Sequence, residues 1–372
     1  MSKRILLLGL TYLALHGCQD NSLKSPATRT RVPNNDAPVS TSGWNIPEDE
    51  IISGGVPKDG IPSLFNPTKI AAEQANYLEN EDLVVGIVVK GKPIAYPHTI
   101  LDWHEVVNEE IHDKALTVSY CPLTGTAIVF DAKHLGRTLV FGVSGLLYNN
   151  NLIMFDRETD SHWPQMRLQC DEGPLKNTKQ KVYPAIETSW GTWKKLFPNS
   201  EILSTKTGFP RPYDQPGSAY PDYNLLNSPP LFQQSFIDDR LPFKQRVHGV
   251  LVGEGPDNYQ SKVYLIKENQ APRLIHDLVG DQAVLVIDSG EDNFVVSYFR
   301  TVDGTPLNFE LEDGTRTFPF TFKDGETGTI WNVLGEGING PLTGTKLKKT
   351  LSYNAYWFAW AAFYRGADIY DR

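Results

Sequence analysis

The sequence predicts a mainly β fold with a few helices, arranged as two pseudo-symmetric internal repeats of about 165 residues. Three observations predict it. The 372-residue chain carries 30 Gly, 26 Pro, 17 Phe, 16 Tyr and 8 Trp, a composition that suits turn-rich β structure better than a helical bundle. Runs rich in β-branched residues occur at 83–89, 116–119, 247–252 and 284–287. The chain also repeats itself at a nearly fixed offset.

That offset organises the elements. Asp113, Ala115, Val118, Gly136, Leu139 and Phe141 recur 168 positions later as Asp281, Ala283, Val286, Gly304, Leu307 and Phe309. The same step carries Asp156, Glu158, Thr159 and Trp163 onto Asp324, Glu326, Thr327 and Trp331. After one deletion, an offset of 167 matches Gly173-Pro174-Leu175 to Gly340-Pro341-Leu342, and Trp190 and Trp193 to Trp357 and Trp360. In each unit β-branched runs are followed by glycine turns and further strands, such as 138–143 and 294–298. One helical pattern closes each unit, at 188–196 and 355–362, where aromatics sit three residues apart. Six prolines between 210 and 230 break regular structure and mark the passage between units. The expected organisation is a signal segment at 1–17, a flexible tether at 18–60, a first unit at 61–235 and a second at 236–372.

Composition narrows the function classes. Hydrophobic residues at 40% and charged residues at 21% exclude a disordered chain and a coiled coil. A formal net charge of −9 with no long basic run argues against a nucleic-acid partner. The ten-residue apolar stretch 355–364 is too short to span a bilayer and reads as a buried element. No P-loop, HExxH or GxSxG pattern occurs.

The first residues read as an address. Lys3 and Arg4 precede an apolar stretch at 5–15, and Gly17 precedes Cys18. Leu15-His16-Gly17-Cys18 resembles the bacterial lipobox, which implies cleavage before Cys18 and a lipid anchor on its sulfur. The alternative is an ordinary signal peptide with a chance cysteine. Gln19, where inner-membrane retention usually requires Asp, favours the outer membrane. The expected setting is therefore the bacterial cell envelope, and the expected partners are a membrane held through Cys18 and an unknown small molecule or metal. Residues 19–45, rich in Ser, Thr, Asn and Pro, have a tether's composition.

Residues present in only one unit are where a specialised site is sought. Cys121, whose counterpart is Ser289, ends a strand and enters the turn Pro122-Leu123-Thr124-Gly125. A thiol there can react or ligate metal, or it can be a buried apolar group. The loop at 142–151, with Tyr148, Asn149 and Asn150, can wrap a ligand with backbone and amide hydrogen bonds, or simply join two strands. His104 and Glu105 place an imidazole and a carboxylate in neighbouring positions, although adjacent helical residues point in different directions. Met154, His162 and Met166 flank the same region and, with Cys121, supply soft ligands of the kind that take copper.

YCPLTGTAIVFD, FGVSGLLYNNNLIMFDRETDSHWPQ, LDWHEVVN and the closing WFAWAAF together resemble the bacterial and archaeal DUF3179 family over about residues 60–372. The family's usual signature is CPLCGT. This chain keeps the first cysteine as Cys121 and has Thr124 in place of the second, which departs from a dithiol or two-thiolate site. The resemblance brings no assigned activity. With Cys18 lipidated, Cys121 and Cys170 are the two remaining thiols, and export to an oxidising compartment raises the expectation of a disulfide between them.

The leading expectation is a cell-envelope lipoprotein with a ligand-binding or thiol-dependent site around Cys121. Cys121 and His104 are the candidate catalytic residues, and Thr124, Gly125, Tyr148, Asn149 and Asn150 the candidate ligand contacts. The alternatives are a thiol-based oxidoreductase and a structural surface scaffold.

Overall fold

The computed structural model describes residues 43–370 apart from 135, 216, 218, 313 and 315. The signal segment, Cys18 and the first part of the tether lie outside the described residues. Strands hold 43% of the chain and helices 10%, so sheets carry the fold, as the sequence predicts. Among the described residues, no helix is long and apolar enough to cross a membrane.

The two halves use one strand order in their leading sheets. In the first, Leu83–Val89 lies between Ala185–Ser189 and Lys92–Pro97, antiparallel to both, and Glu201–Leu203 then pairs parallel to Lys92–Pro97. In the second, Arg246–Val252 lies between Leu351–Tyr356 and Gln260–Leu265, again antiparallel to both, and Asp368–Tyr370 pairs parallel to Gln260–Leu265. The helices Trp190–Leu196 and Trp357–Phe363 follow the outer strands directly.

Glycine explains how those helices dock. A Cβ on Gly86 would lie 2.0 Å from the Trp193 ring, and one on Gly249 would lie 2.1 Å from the Trp360 ring. Each indole therefore sits flat on its central strand, where any side chain would displace it.

The repeated Asp-x-Glu-Thr-x-x-x-Trp spacing has an equally local cause. Asp156 Oδ2 accepts the Trp163 indole N–H at 2.9 Å, while Oδ1 accepts the Thr159 backbone N–H at 2.7 Å. Asp324 Oδ2 accepts from Trp331 at 2.8 Å, and its carboxylate also caps Thr327. Each tryptophan is fully buried, and its only polar atom is thereby satisfied.

Packing joins the halves. One hydrophobic cluster unites Phe141, Met154 and Trp163 with Val247, Trp357 and Trp360. Another unites Val84, Trp190 and Trp193 with Leu285, Phe294 and Tyr298. Residues on the two sides of position 235 thus share cores, and the proline-rich passage is stitched back onto the first half rather than left as a linker.

Candidate functional site

Cys121 ends the strand Lys114–Cys121, and its thiol is 1% exposed. The Sγ–H donates to the Asn150 carbonyl at 3.5 Å. Burial, reinforced by the negative field of Glu105, pushes the thiol up to about 11, so at neutral pH it is a thiol and not a thiolate. Cys170 is also free; its Sγ–H donates to the Glu172 carbonyl at 3.1 Å, and burial raises it further. The disulfide expected between Cys121 and Cys170 is not formed in this structure.

The signature residues around Cys121 are hydrogen-bonded to one another. Thr124 and Thr126 share a hydroxyl contact, and Asn151 Nδ2 donates to Thr124 Oγ1 at 3.0 Å and to Gln165 Oε1 at 2.8 Å. Gln165 Nε2 donates to Ser119 Oγ at 2.9 Å. Thr124 is fully buried in this network, so its hydroxyl has no face left for a ligand. Gly125 takes φ +59, and a Cβ there would lie 2.9 Å from the Tyr356 ring, so its absence admits that tyrosine.

The asparagines of the loop grip the chain beyond position 230. Asn150 pairs its side-chain amide with Phe232, donating to the carbonyl at 2.9 Å and accepting the N–H at 2.9 Å. Asn149 Oδ1 accepts the Ser235 N–H at 2.7 Å. Tyr148 packs edge-on against Phe363. These contacts clamp the connection between halves, which is why the sequence places polar residues in a buried loop.

His104 is a buried brace. Its Nδ1 lies 2.7 Å from the Pro62 carbonyl, so that nitrogen carries the proton, and its Nε2 accepts from the Tyr213 hydroxyl at 2.6 Å. Burial lowers its basicity and keeps it neutral. The soft-metal set is not gathered either. Met154 and Met166 are fully buried in the same cluster as Cys121, whereas His162 is held by Glu172 at 2.7 Å. Among the described residues, no group of three or more His, Cys, Asp and Glu is arranged to hold a metal ion.

A cavity of about 240 Å3 opens beside Cys121, on the far side of Pro122. Its walls come from the helix His98–His104, the rings of Tyr120, Tyr220, Tyr223 and Tyr356, and Asp82. Asp102 faces it, and Glu105 caps the same helix with φ 55. Neither carboxyl has a hydrogen-bond or ion-pair partner among the described residues. Burial pushes Asp102 up to about 7, and burial together with the charge of Asp102 pushes Glu105 up to about 8. Two coupled carboxyls poised near neutrality, one of them facing an aromatic recess, are the form an acid–base or ligand site takes.

One cation stands behind the aromatic wall. The Lys244 ammonium is 3.1 Å from the centroid of Tyr223, 4.9 Å from that of Tyr356 and 4.7 Å from that of Phe358. It has no hydrogen-bond partner, and burial lowers it to about 7. Only the ring faces offset its desolvation, so Lys244 fixes the posture of the tyrosines.

The sequence singles out His104 and Glu105 but gives no prominence to His98 and Asp102. His98, Asp102 and Glu105 follow i, i+4, i+7 spacing, which places them on one side of a helical turn, while His104 points away from it. That spacing was present in LDWHEVVN and the residues before it. Tyr220, Tyr223 and Tyr356 carried no such signal, because they reach the cavity only through folding, as Lys244 reaches their rings.

No curated protein and no solved structure matches the chain. The profile described as "Protein of unknown function (DUF3179)" matches residues 58–367. That span takes in the Cys121 turn, the carboxyl-bearing helix, the asparagine clamp and the closing aromatic helix, and the chain therefore belongs to the DUF3179 family.

Proposed function

We propose that the protein is a cell-envelope lipoprotein, anchored through Cys18 to the outer membrane, that binds a small ligand in the cavity beside Cys121. The observation that carries the binding reading is Asp102, an unpartnered carboxyl facing an aromatic recess, backed by the unpartnered Glu105 that caps the same helix and couples to it. The ligand class is a small organic cation: ring faces and carboxylates are what an ammonium group seeks, and the nearest lysine is sequestered behind the rings. Binding is favoured over thiol redox chemistry because Cys121 is buried, protonated and hydrogen-bonded to a backbone carbonyl. Its neighbours Tyr120 and Pro122, not its thiol, line the site.

Titration calorimetry with choline and with ethanolamine tests the site. Saturable binding, weakened about tenfold or more by Asp102→Asn or Glu105→Gln, supports it. Equal heats in wild type and both variants, or no saturation by either compound, overturns it. The anchor is tested separately by labelled fatty acid, which should be incorporated by the wild type and lost in Cys18→Ser.

A further inference from the structure

Another cavity lies elsewhere, with a volume of about 480 Å3, within the range of small-ligand sites. It is walled by the strands Ala185–Ser189 and Thr126–Asp131 of the first half and by Phe294–Phe299 and Leu351–Tyr356 of the second. Equivalent ladder positions face each other across it. Val85 pairs with Glu187 in one sheet, and His248 pairs with Asn354 in the other.

Much of the wall is apolar, formed by Val85, Val129, Ile186, Leu251 and Val295. Another part is a closed polar chain. His248 Nδ1 is 2.9 Å from Asn354 Oδ1, and an amide oxygen only accepts, so Nδ1 carries the proton. His248 Nε2 therefore accepts from Ser297 Oγ at 2.8 Å, and Ser297 is held again by Thr350 at 2.6 Å. The order resembles a nucleophile, base and orienting amide, but a hydroxyl fastened on two sides is a fixed wall rather than a free nucleophile.

Three bordering groups remain unsatisfied, the first being Glu187, whose Oε1 takes Arg246 at 2.8 Å while its buried Oε2 has no partner among the described residues. Gln180 is 7% exposed, and neither the oxygen nor the nitrogen of its amide has a partner. Lys349 has no carboxylate partner among the described residues, and burial lowers its ammonium to about 8. A lone cation against an apolar wall carries a desolvation cost that an anion inside the cavity would offset.

We propose that this cavity is a second ligand site, which takes a small apolar monocarboxylate with its carboxylate at Lys349 and its hydrocarbon part against Val85, Val129 and Val295. The Gln180 amide is the nearby neutral group able to complete the headgroup's hydrogen bonds. The site does not depend on the cavity beside Cys121.

Titration calorimetry on the purified full-length chain with hexanoate, 1-hexanol and hexylamine tests it. Hexanoate should bind one per chain, about tenfold or more tighter than either of the others. Lys349→Met should weaken hexanoate about tenfold or more, Lys349→Arg should keep it within about threefold, and Asp102→Asn should leave it unchanged. Equal binding of hexanoate and hexanol, no binding of hexanoate, or a folded Lys349→Met that binds as the wild type overturns the proposal. If Lys349→Met does not fold, the ranking of the three compounds on the wild type decides.

Discussion

The two halves pair their leading strands in the same order, yet they differ at the positions that face open space. In the first half, the connection after Lys92–Pro97 forms the helix His98–His104, which carries Asp102 into a cavity and is capped by Glu105. In the second, the connection after Gln260–Leu265 runs without a helix to Arg273–Val279. Cys121 ends its strand beside that cavity, whereas Ser289 spends its hydroxyl on Asp292 at 2.7 Å. His248 and Ser297 form a buried polar chain where Val85 and Val129 present only apolar surface. Residues common to both halves hold sheets and helices together; residues peculiar to one half line the cavities.

The comparison is broken most sharply at the glycines. Gly86→Val and Gly249→Val should each cost about 3 kcal/mol or more, because each side chain enters a volume already filled by an indole. Thermal denaturation of both variants checks this. A tolerated substitution in one half would show that only the other helix is seated through its glycine.

A smaller loss is expected at the buried aspartates. Asp156→Asn and Asp324→Asn each keep the shape but face an amide nitrogen or a weaker acceptor toward the Trp and Thr donors, for about 2–3 kcal/mol. Urea midpoints measure both, and values differing by more than about 1 kcal/mol would mean the two corners are not energetically alike.

The carboxyl pair gives the first half a pH dependence of its own. Asp102 rises from 3.8 to about 7 and Glu105 from 4.5 to about 8, so the folded state holds more protons than the unfolded state between those values. Stability contributed by the protonated groups is present at about pH 4 and declines as pH rises through about 8. Glu105→Gln should flatten that decline and stabilise the protein at pH 8 by about 1–2 kcal/mol, read from urea midpoints at pH 5 and pH 8. An unchanged slope would remove Glu105 from the titrating pair.

The smallest effect concerns the thiols. Native protein should react slowly at Cys121 and Cys170, and both should alkylate fully once unfolded without a reductant, because both are buried free thiols. Rapid native labelling of Cys121 would reopen the thiol chemistry that its burial disfavours.

Much of this architecture is legible in the chain alone. The β class follows from composition and β-branched runs, and the Asp156–Trp163 and Asp324–Trp331 corners follow from fixed spacing, because each is closed by contacts within eight residues. The closing helices are legible for the same reason. Membership of the DUF3179 family was readable from YCPLTGT and YNNN, although the reason for those residues was not. Thr124, Asn149 and Asn150 suggest a polar ligand wall when read locally, but folding brings them Asn151, Phe232 and Ser235, which satisfy most of their hydrogen-bonding capacity.

What the sequence by itself determined is therefore what short-range periodicity and repetition encode: strands, turns, helices and the matched tryptophan corners. Only the tertiary structure decided that Cys121 is a silent buried thiol, that His104 is a brace held by Pro62 and Tyr213, and that Asp102 stands without a partner in an aromatic recess beside the equally unpartnered Glu105. The physical reason is that desolvation and unsatisfied polarity are properties of an environment assembled from distant segments. Lys244, Tyr223 and Tyr356 meet at one point only because two halves share their cores, and no window of sequence contains that meeting.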